Sequence, residues 1–145
     1  MNATIEKFGG TNTLLAEYRH WVVLLRPQAV TLGSLILAAK GEETAFSALP
    51  LAAFTELSAV IRDVEAMLTK TVGQAKMNYL MLMMVDPHVH FHVLPRYDGS
   101  RSHDGVAFAD AGWPGPPALA SAVALSADQI AAQRAWLKER WPKVG

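Results

Sequence analysis

Asp86-Pro87-His88-Val89-His90-Phe91-His92-Val93-Leu94-Pro95-Arg96-Tyr97 holds three of the chain's five histidines, spaced strictly two residues apart. Successive side chains of a β-strand point to opposite faces, so an extended segment here puts the three imidazoles on one face, roughly 6 to 7 Å apart. Val89, Phe91 and Val93 then point to the other face and anchor the strand in a core. Asp86-Pro87 separates this strand from what precedes it, because proline pushes the residue before it out of helical conformation and has no amide proton to pair. Three polar rings backed by an apolar face need partners, since burying an unpaired polar group costs about 1 to 3 kcal/mol. A bound anion, a metal ion or water can supply them.

Working upstream, Lys76 to Val85 is dense in methionine and leucine and reads as the preceding strand, giving a tight hairpin with His88 to Tyr97. From Leu49 to Val72 the period changes: Leu57, Ile61, Val64 and Leu68 recur at three- and four-residue steps, the spacing of one helix face. Pro50 suits the first turn of that helix and Gly73 its end. His20 to Leu25 and Ser34 to Ala38 are short apolar runs rich in β-branched and aromatic residues, which favours two neighbouring antiparallel strands. Ala3 to Phe8 predicts a short helix ended by Gly9-Gly10, while Leu14 to Tyr18 is too short to decide.

Downstream, the proline- and glycine-rich stretch of about residues 98–125 predicts an irregular surface loop. Ser126-Ala127-Asp128-Gln129 carries the reciprocal capping pattern that opens a helix, which runs to about Trp141 before Pro142. No internal repeat or second boundary interrupts the chain, and 145 residues fit a single domain, residues 1–145.

The composition is 51% hydrophobic and 18% charged, and no apolar run reaches the roughly 18 to 20 residues that span a bilayer. Thirteen basic residues balance thirteen acidic ones, so the overall charge gives no reason to expect a nucleic-acid polymer or a membrane surface as partner. There is no cysteine, and the first residues lack the basic start and apolar stretch of a secretion signal; the expected location is the cytoplasm.

For the histidine row, phosphate is the favoured guest. Neutral imidazole can attack phosphorus, and neighbouring rings can neutralise charge on its oxygens near physiological pH. Arg96, four residues after His92, falls on the same face and adds a permanent positive charge. A metal is the main rival, because alternating histidines can hold zinc, copper or iron, although no second cluster of metal-binding side chains accompanies the row. His20 or His103 could complete such a site, but nothing in their spacing requires it. Asp86 is most simply a turn residue.

His88 to Leu94 resembles the histidine-triad family, whose pattern is three histidines alternating with apolar residues and followed by two more apolar positions. Pro95-Arg96 is similar to the fragile-histidine-triad branch of dinucleoside polyphosphate hydrolases, and a looser likeness extends from about Trp21 to Tyr97. The resemblance implies an α+β fold, a five-stranded antiparallel sheet with packed helices, paired into a homodimer. It implies that His90 is the nucleophile that attacks a nucleotide's α-phosphate and forms a nucleotidyl-histidine intermediate. His92 then contacts phosphate oxygens and His88 orients the site, with either assisting proton transfer to the leaving group. The ribose and base pocket would draw on Trp21, Leu24, Arg26 and Leu35. No cofactor is required, though a divalent cation would accompany a polyphosphate substrate.

Two positions depart from the family pattern. Many members carry a further histidine after a glycine on the second strand, where this chain has Gly33-Ser34; a serine hydroxyl can hydrogen-bond but cannot carry a proton as imidazole does. Val85-Asp86-Pro87 stands where Gly-Gln is common, leaving Asn78 as the nearest upstream amide. Ser34, Asn78 and Arg96 are therefore the remaining expected substrate contacts. These departures motivate an alternative, a nucleotide-binding regulatory module with little catalysis.

Overall fold

The computed structural model describes residues 1–143; the last two residues of the expected 1–145 domain lie outside the described residues. In chain order the elements are α1 (Ala3–Lys7), β1 (Leu14–Glu17), β2 (Trp21–Leu25), β3 (Gln28–Ala29), β4 (Leu35–Ala39), α2 (Leu51–Thr71), β5 (Lys76–Leu80), β6 (His90–Arg96), β7 (Ser100–His103), β8 (Val106–Ala109), β9 (Val123–Ala124) and α3 (Ala127–Glu139). Five strands form one antiparallel sheet in the order β1-β2-β4-β6-β5, which is the expected α+β architecture.

The continuous apolar runs of β2 and β4 follow from burial on both faces, and every residue of both strands is buried. On one face Trp21, Val23, Leu25, Leu35, Leu37 and Val93 meet Ala53, Val60, Val64, Met67 and Leu68 of α2. Each such aliphatic side chain contributes about 1.5 to 3 kcal/mol of burial. Trp21 also donates its indole N–H to the Ala53 carbonyl at 2.8 Å, so its one polar atom is satisfied inside the core. The opposite face carries a smaller cluster: Val22, Leu24, Ile36 and Ala38 beneath Ile5 and Phe8.

Helix α2 ends where Gly73, at φ +57°, turns the chain and donates its amide back to the Leu68 carbonyl at 3.1 Å. Helix α1 is short, and Asn2 fixes it at both ends of its own side chain. Its Oδ1 accepts from the Ile5 amide at 2.9 Å, and its Nδ2 donates to the carbonyls of Ala39 and Gly41 at 3.0 and 2.8 Å. This clamp hangs α1 over the end of β4. Ser126 and Gln129 form the expected reciprocal cap of α3.

Four expectations are corrected. Strand β5 stops at Leu80 instead of Val85, because residues 81–89 leave the sheet and Met83 takes φ +50°, a left-handed conformation no strand accommodates. Strand β6 begins at His90, not His88, and the connection is a broad excursion, not a tight hairpin. The 98–125 stretch is not irregular throughout: β7 and β8 form a hairpin whose turn, Asp104-Gly105, has φ of +50° and +76°, the pairing that a two-residue hairpin turn demands. Strand β9 in the same stretch pairs with β3, so the chain returns to the body before α3. Leu14–Glu17, undecided from its length, is an edge strand paired with β2.

Candidate active site

Register places the reactive side chains. His90 lies opposite Ala38 and His92 opposite Ile36, so both rings stand on the face of the small cluster, while Val89, Phe91 and Val93 join the α2 side. The alternation expected for residues 89 to 93 is therefore present. The two imidazoles sit 5.1 Å apart between centroids and nearly perpendicular, at 72°. Phe8, delivered by the end of α1, packs against both, at 5.6 and 6.0 Å. His90 is 1% exposed and His92 8%.

The hydrogen-bond partners fix which nitrogen carries the proton. His90 Nδ1 lies 2.6 Å from the His88 carbonyl, and a carbonyl only accepts, so Nδ1 is the N–H and in the neutral ring Nε2 carries the lone pair. At His92 the assignment is opposite. Arg26 Nε donates to His92 Nδ1 at 3.3 Å, leaving Nε2 of the neutral ring as N–H. Burial, the Arg26 charge and His90 together push the His92 pKa down to about 4, so the ring is neutral at physiological pH. A nucleophilic nitrogen thus stands beside a hydrogen-bond donor.

His88 corrects the expectation of three rings in one row. Lying before β6, it turns its ring toward α1, with Nδ1 2.8 Å from Thr4 Oγ1 and Nε2 3.1 Å from Glu42 Oε2. The Thr4 hydroxyl also accepts from the His88 amide at 3.3 Å. Both ring nitrogens are occupied, and what His88 offers the site is its backbone carbonyl.

In front of His90 and His92 lies a cavity of about 160 Å³, lined also by Leu82, Met83, Met84, Val85 and Asp86. Asp86 is paired with Lys7 Nζ at 2.6 Å, so α1 and the 81–89 segment are joined at the rim. Asp86 is more than a turn residue, and its nearness to the histidines required the excursion to be known.

The other expected residues divide by position. Arg26 reaches His92, and its Nη1 donates to the Gln28 carbonyl. Leu24 lies in the buried cluster on the histidine side of the sheet, whereas Trp21 and Leu35 point to the α2 side and do not approach the cavity. Ser34 is turned inward: its Oγ accepts from the Thr31 amide at 2.9 Å and donates to the Thr31 carbonyl at 2.8 Å. Arg96 falls on the expected face of β6, but its guanidinium binds Asp110 twice, at 2.7 and 3.1 Å, the Gly115 carbonyl at 2.9 Å and Asn78 Oδ1 at 2.7 Å. Both Arg96 and Asn78 are therefore tied into a buried network that holds the 110–115 loop. His103 stacks on Trp136 at 4.3 Å. Among the described residues no group of three His, Asp or Glu side chains is arranged to hold a metal ion.

Phe8, Thr4 and Glu42 were not singled out from sequence. The only signal upstream was the short helix itself, which says nothing about what its side chains meet.

No protein-family model and no curated protein sequence matches the chain. Solved structures do. A histidine triad protein from Bradyrhizobium japonicum superposes with a TM-score of 0.72 at 17% identity, over 97% of this chain and 96% of that one. The fold is the histidine-triad fold. The C. elegans NitFhit protein shares it with a TM-score of 0.66 and 20% identity over 89% of this chain, which spans only 27% of that longer protein. A Plasmodium falciparum diadenosine triphosphate hydrolase, solved with cyclomarin A, matches with a TM-score of 0.64 and 9% identity, over 89% of this chain and 76% of that one. Within the histidine-triad fold of this chain, His90 and His92 face one cavity and His88 backs them.

Proposed function

We propose that this chain is a nucleotide hydrolase or transferase that cleaves a phosphoanhydride or phosphoramidate bond at a nucleotide α-phosphate through a nucleotidyl-His90 intermediate. The observation that carries the reading is the His90 hydrogen bond to the His88 carbonyl, which leaves Nε2 as a buried nucleophile at the cavity. In the first step the Nε2 lone pair forms an N–P bond and the leaving group departs with its electron pair. The imidazolium so made keeps its Nδ1–H on the His88 carbonyl, and His92 Nε2–H donates to a phosphate oxygen. Water then attacks phosphorus, the N–P electron pair returns to Nε2, and the water proton passes to solvent with release of the nucleoside monophosphate. A dinucleoside polyphosphate is one such substrate, suggested by the neighbour named as a diadenosine triphosphate hydrolase. A divalent cation enters this reading only as a companion of the polyphosphate; a homodimer rests on likeness, and a cytoplasmic location on composition.

The test is a substrate panel run on wild type and His90→Ala together, with rapid acid quench to trap labelled nucleotide on the protein. Wild type should turn over at least one substrate and accumulate label that His90→Ala lacks. Hydrolysis by His90→Ala at near wild-type rates overturns the assignment.

A second reading, a nucleotide-binding module with little turnover, is favoured by Ser34, whose hydroxyl is turned to the Thr31 carbonyl at the position where many histidine-triad proteins carry a further imidazole. Calorimetry showing nucleotide binding without product formation would select it.

A further inference from the structure

Resting on the reading above, we propose that Arg26 is a positioning residue that locks His92 as an Nε2–H donor and thereby restricts the site to phosphoanhydrides, whose leaving group departs without a proton. The geometry is direct. Arg26 Nε can only donate, and it points at His92 Nδ1 from 3.3 Å, so a second proton on that nitrogen would set N–H against N–H. Arg26 is itself held by the Gln28 carbonyl, so the guanidinium does not swing aside freely. The charged and titratable groups around His92 are Arg26 after β2, His90 on its own strand and Asp86 from the 81–89 segment. Asp86, the one group that favours the charged ring, is already paired with Lys7 at 2.6 Å. Phe8 and Ile36, on the remaining sides, carry no charge.

Among the described residues no other proton source is aimed at the cavity: Asp86, which lines it, is paired with Lys7 at 2.6 Å. His90 Nδ1–H is given to the His88 carbonyl, and the His88 ring is occupied by Thr4 and Glu42, away from the cavity. Ser34, where the family places a further imidazole, has its hydroxyl turned to Thr31. Arg26 thus occupies the supporting role a neutral ring would fill, with a permanent charge that cannot act as an acid.

The chemistry of the two bond classes then separates them. Attack of His90 Nε2 on an anhydride breaks the bridging P–O bond, and the electron pair leaves on a phosphate oxygen that is stable as an anion. Breaking a P–N bond sends the pair to an amine nitrogen, which departs only if a proton reaches it during the step. A site with no acid aimed at the leaving group performs the first and not the second.

Two measurements decide this. In ¹⁵N-labelled wild type, long-range nitrogen-proton spectra, with the ring assigned by comparison with His92→Gln, should show His92 protonated at Nε2 alone from pH 8 down to about pH 5. A His92 that is Nδ1–H, or that titrates near its ordinary pKa, overturns the role of Arg26 whether or not the protein turns anything over. Separately, kcat/KM is measured for dinucleoside triphosphates and nucleoside 5′-phosphoramidates, each as adenine and guanine forms. Wild type should favour the anhydrides by roughly a hundredfold, the low end of what a positioned acid contributes. In Arg26→Met that preference should narrow at acid pH as His92 gains a proton, while anhydride cleavage falls. Comparable rates on both bond classes in wild type overturn the substrate inference and leave the hydrolase reading standing; no turnover on either removes both.

Discussion

Lys7 Nζ and Asp86 Oδ1 lie 2.6 Å apart, joining the last turn of α1 to the segment that roofs His90 and His92. Lys7 is half-exposed, so the pair contributes only about 0 to 1 kcal/mol to stability. Its effect should fall on access instead. Lys7→Ala is expected to leave the melting temperature within about 2 °C of wild type while changing nucleotide on- and off-rates in stopped flow. Raised salt should reproduce that change in wild type and have little effect in the variant. Rates unaltered in Lys7→Ala would separate the roof from the pair.

Stability should depend on pH through His92. Its folded-state pKa is pushed down to about 4, below the roughly 6.5 of an unfolded histidine. Between those values the unfolded chain binds the extra proton, so stability rises with pH across that window and is lost as pH falls through it. The stability lost between pH 7 and pH 4 through this ring is on the order of 2 to 3 kcal/mol. Urea melts of wild type and His92→Gln at intervals from pH 7 to 4 should separate toward the acid end, with wild type losing stability that the variant, which has no titrating ring there, keeps. Parallel curves would contradict the shift.

Arg96 and Asp110 form a buried pair, and removing one partner strands the other charge. Asp110→Ala should cost about 3 to 5 kcal/mol by denaturant melts, and Arg96→Met with Asp110→Leu together should cost less than the sum of the two alone. If Arg96 instead binds substrate phosphate, Arg96→Met would raise KM with little loss of stability, and kinetics alongside the melts distinguish the two.

Tyr97 accepts from the Leu32 amide at 2.7 Å and donates to the Phe108 carbonyl at 3.3 Å, with no exposure of its own. Tyr97→Phe leaves that buried amide without a partner and is expected to destabilise by about 1 to 3 kcal/mol. Turnover per folded molecule should not change, since Tyr97 does not line the cavity.

Sequence reasoning succeeded where one element determines the outcome. The runs Trp21–Leu25 and Leu35–Ala39 read as strands because burial on both faces leaves no polar position in them. Val89-His90-Phe91-His92-Val93 alternates as strand geometry requires, so the reactive face was visible in the residues themselves. His88 escaped the same arithmetic because Thr4 and Glu42, contributed by α1 and the turn after β4, capture its ring before the strand starts. Arg96 obeyed the alternation, yet its charge is neutralised by Asp110, fourteen positions away through a hairpin that was not expected. The Asp104-Gly105 turn was legible from its dipeptide; the glycines and prolines around it obscured that local signal. Arg26 was expected at the base pocket, but its hold on His92 depends on how β2 ends relative to β6, which no spacing within either strand specifies.

Asn2 seats the first helix, and that helix brings Thr4 to His88 and Phe8 to both facing imidazoles. The amino-terminal helix thereby packs directly against the candidate site. An affinity tag fused ahead of Met1, or a deletion trimming the first eight residues, would disturb proton placement before it disturbed the sheet. A handle at the carboxyl end is the better choice for any kinetic work on this chain.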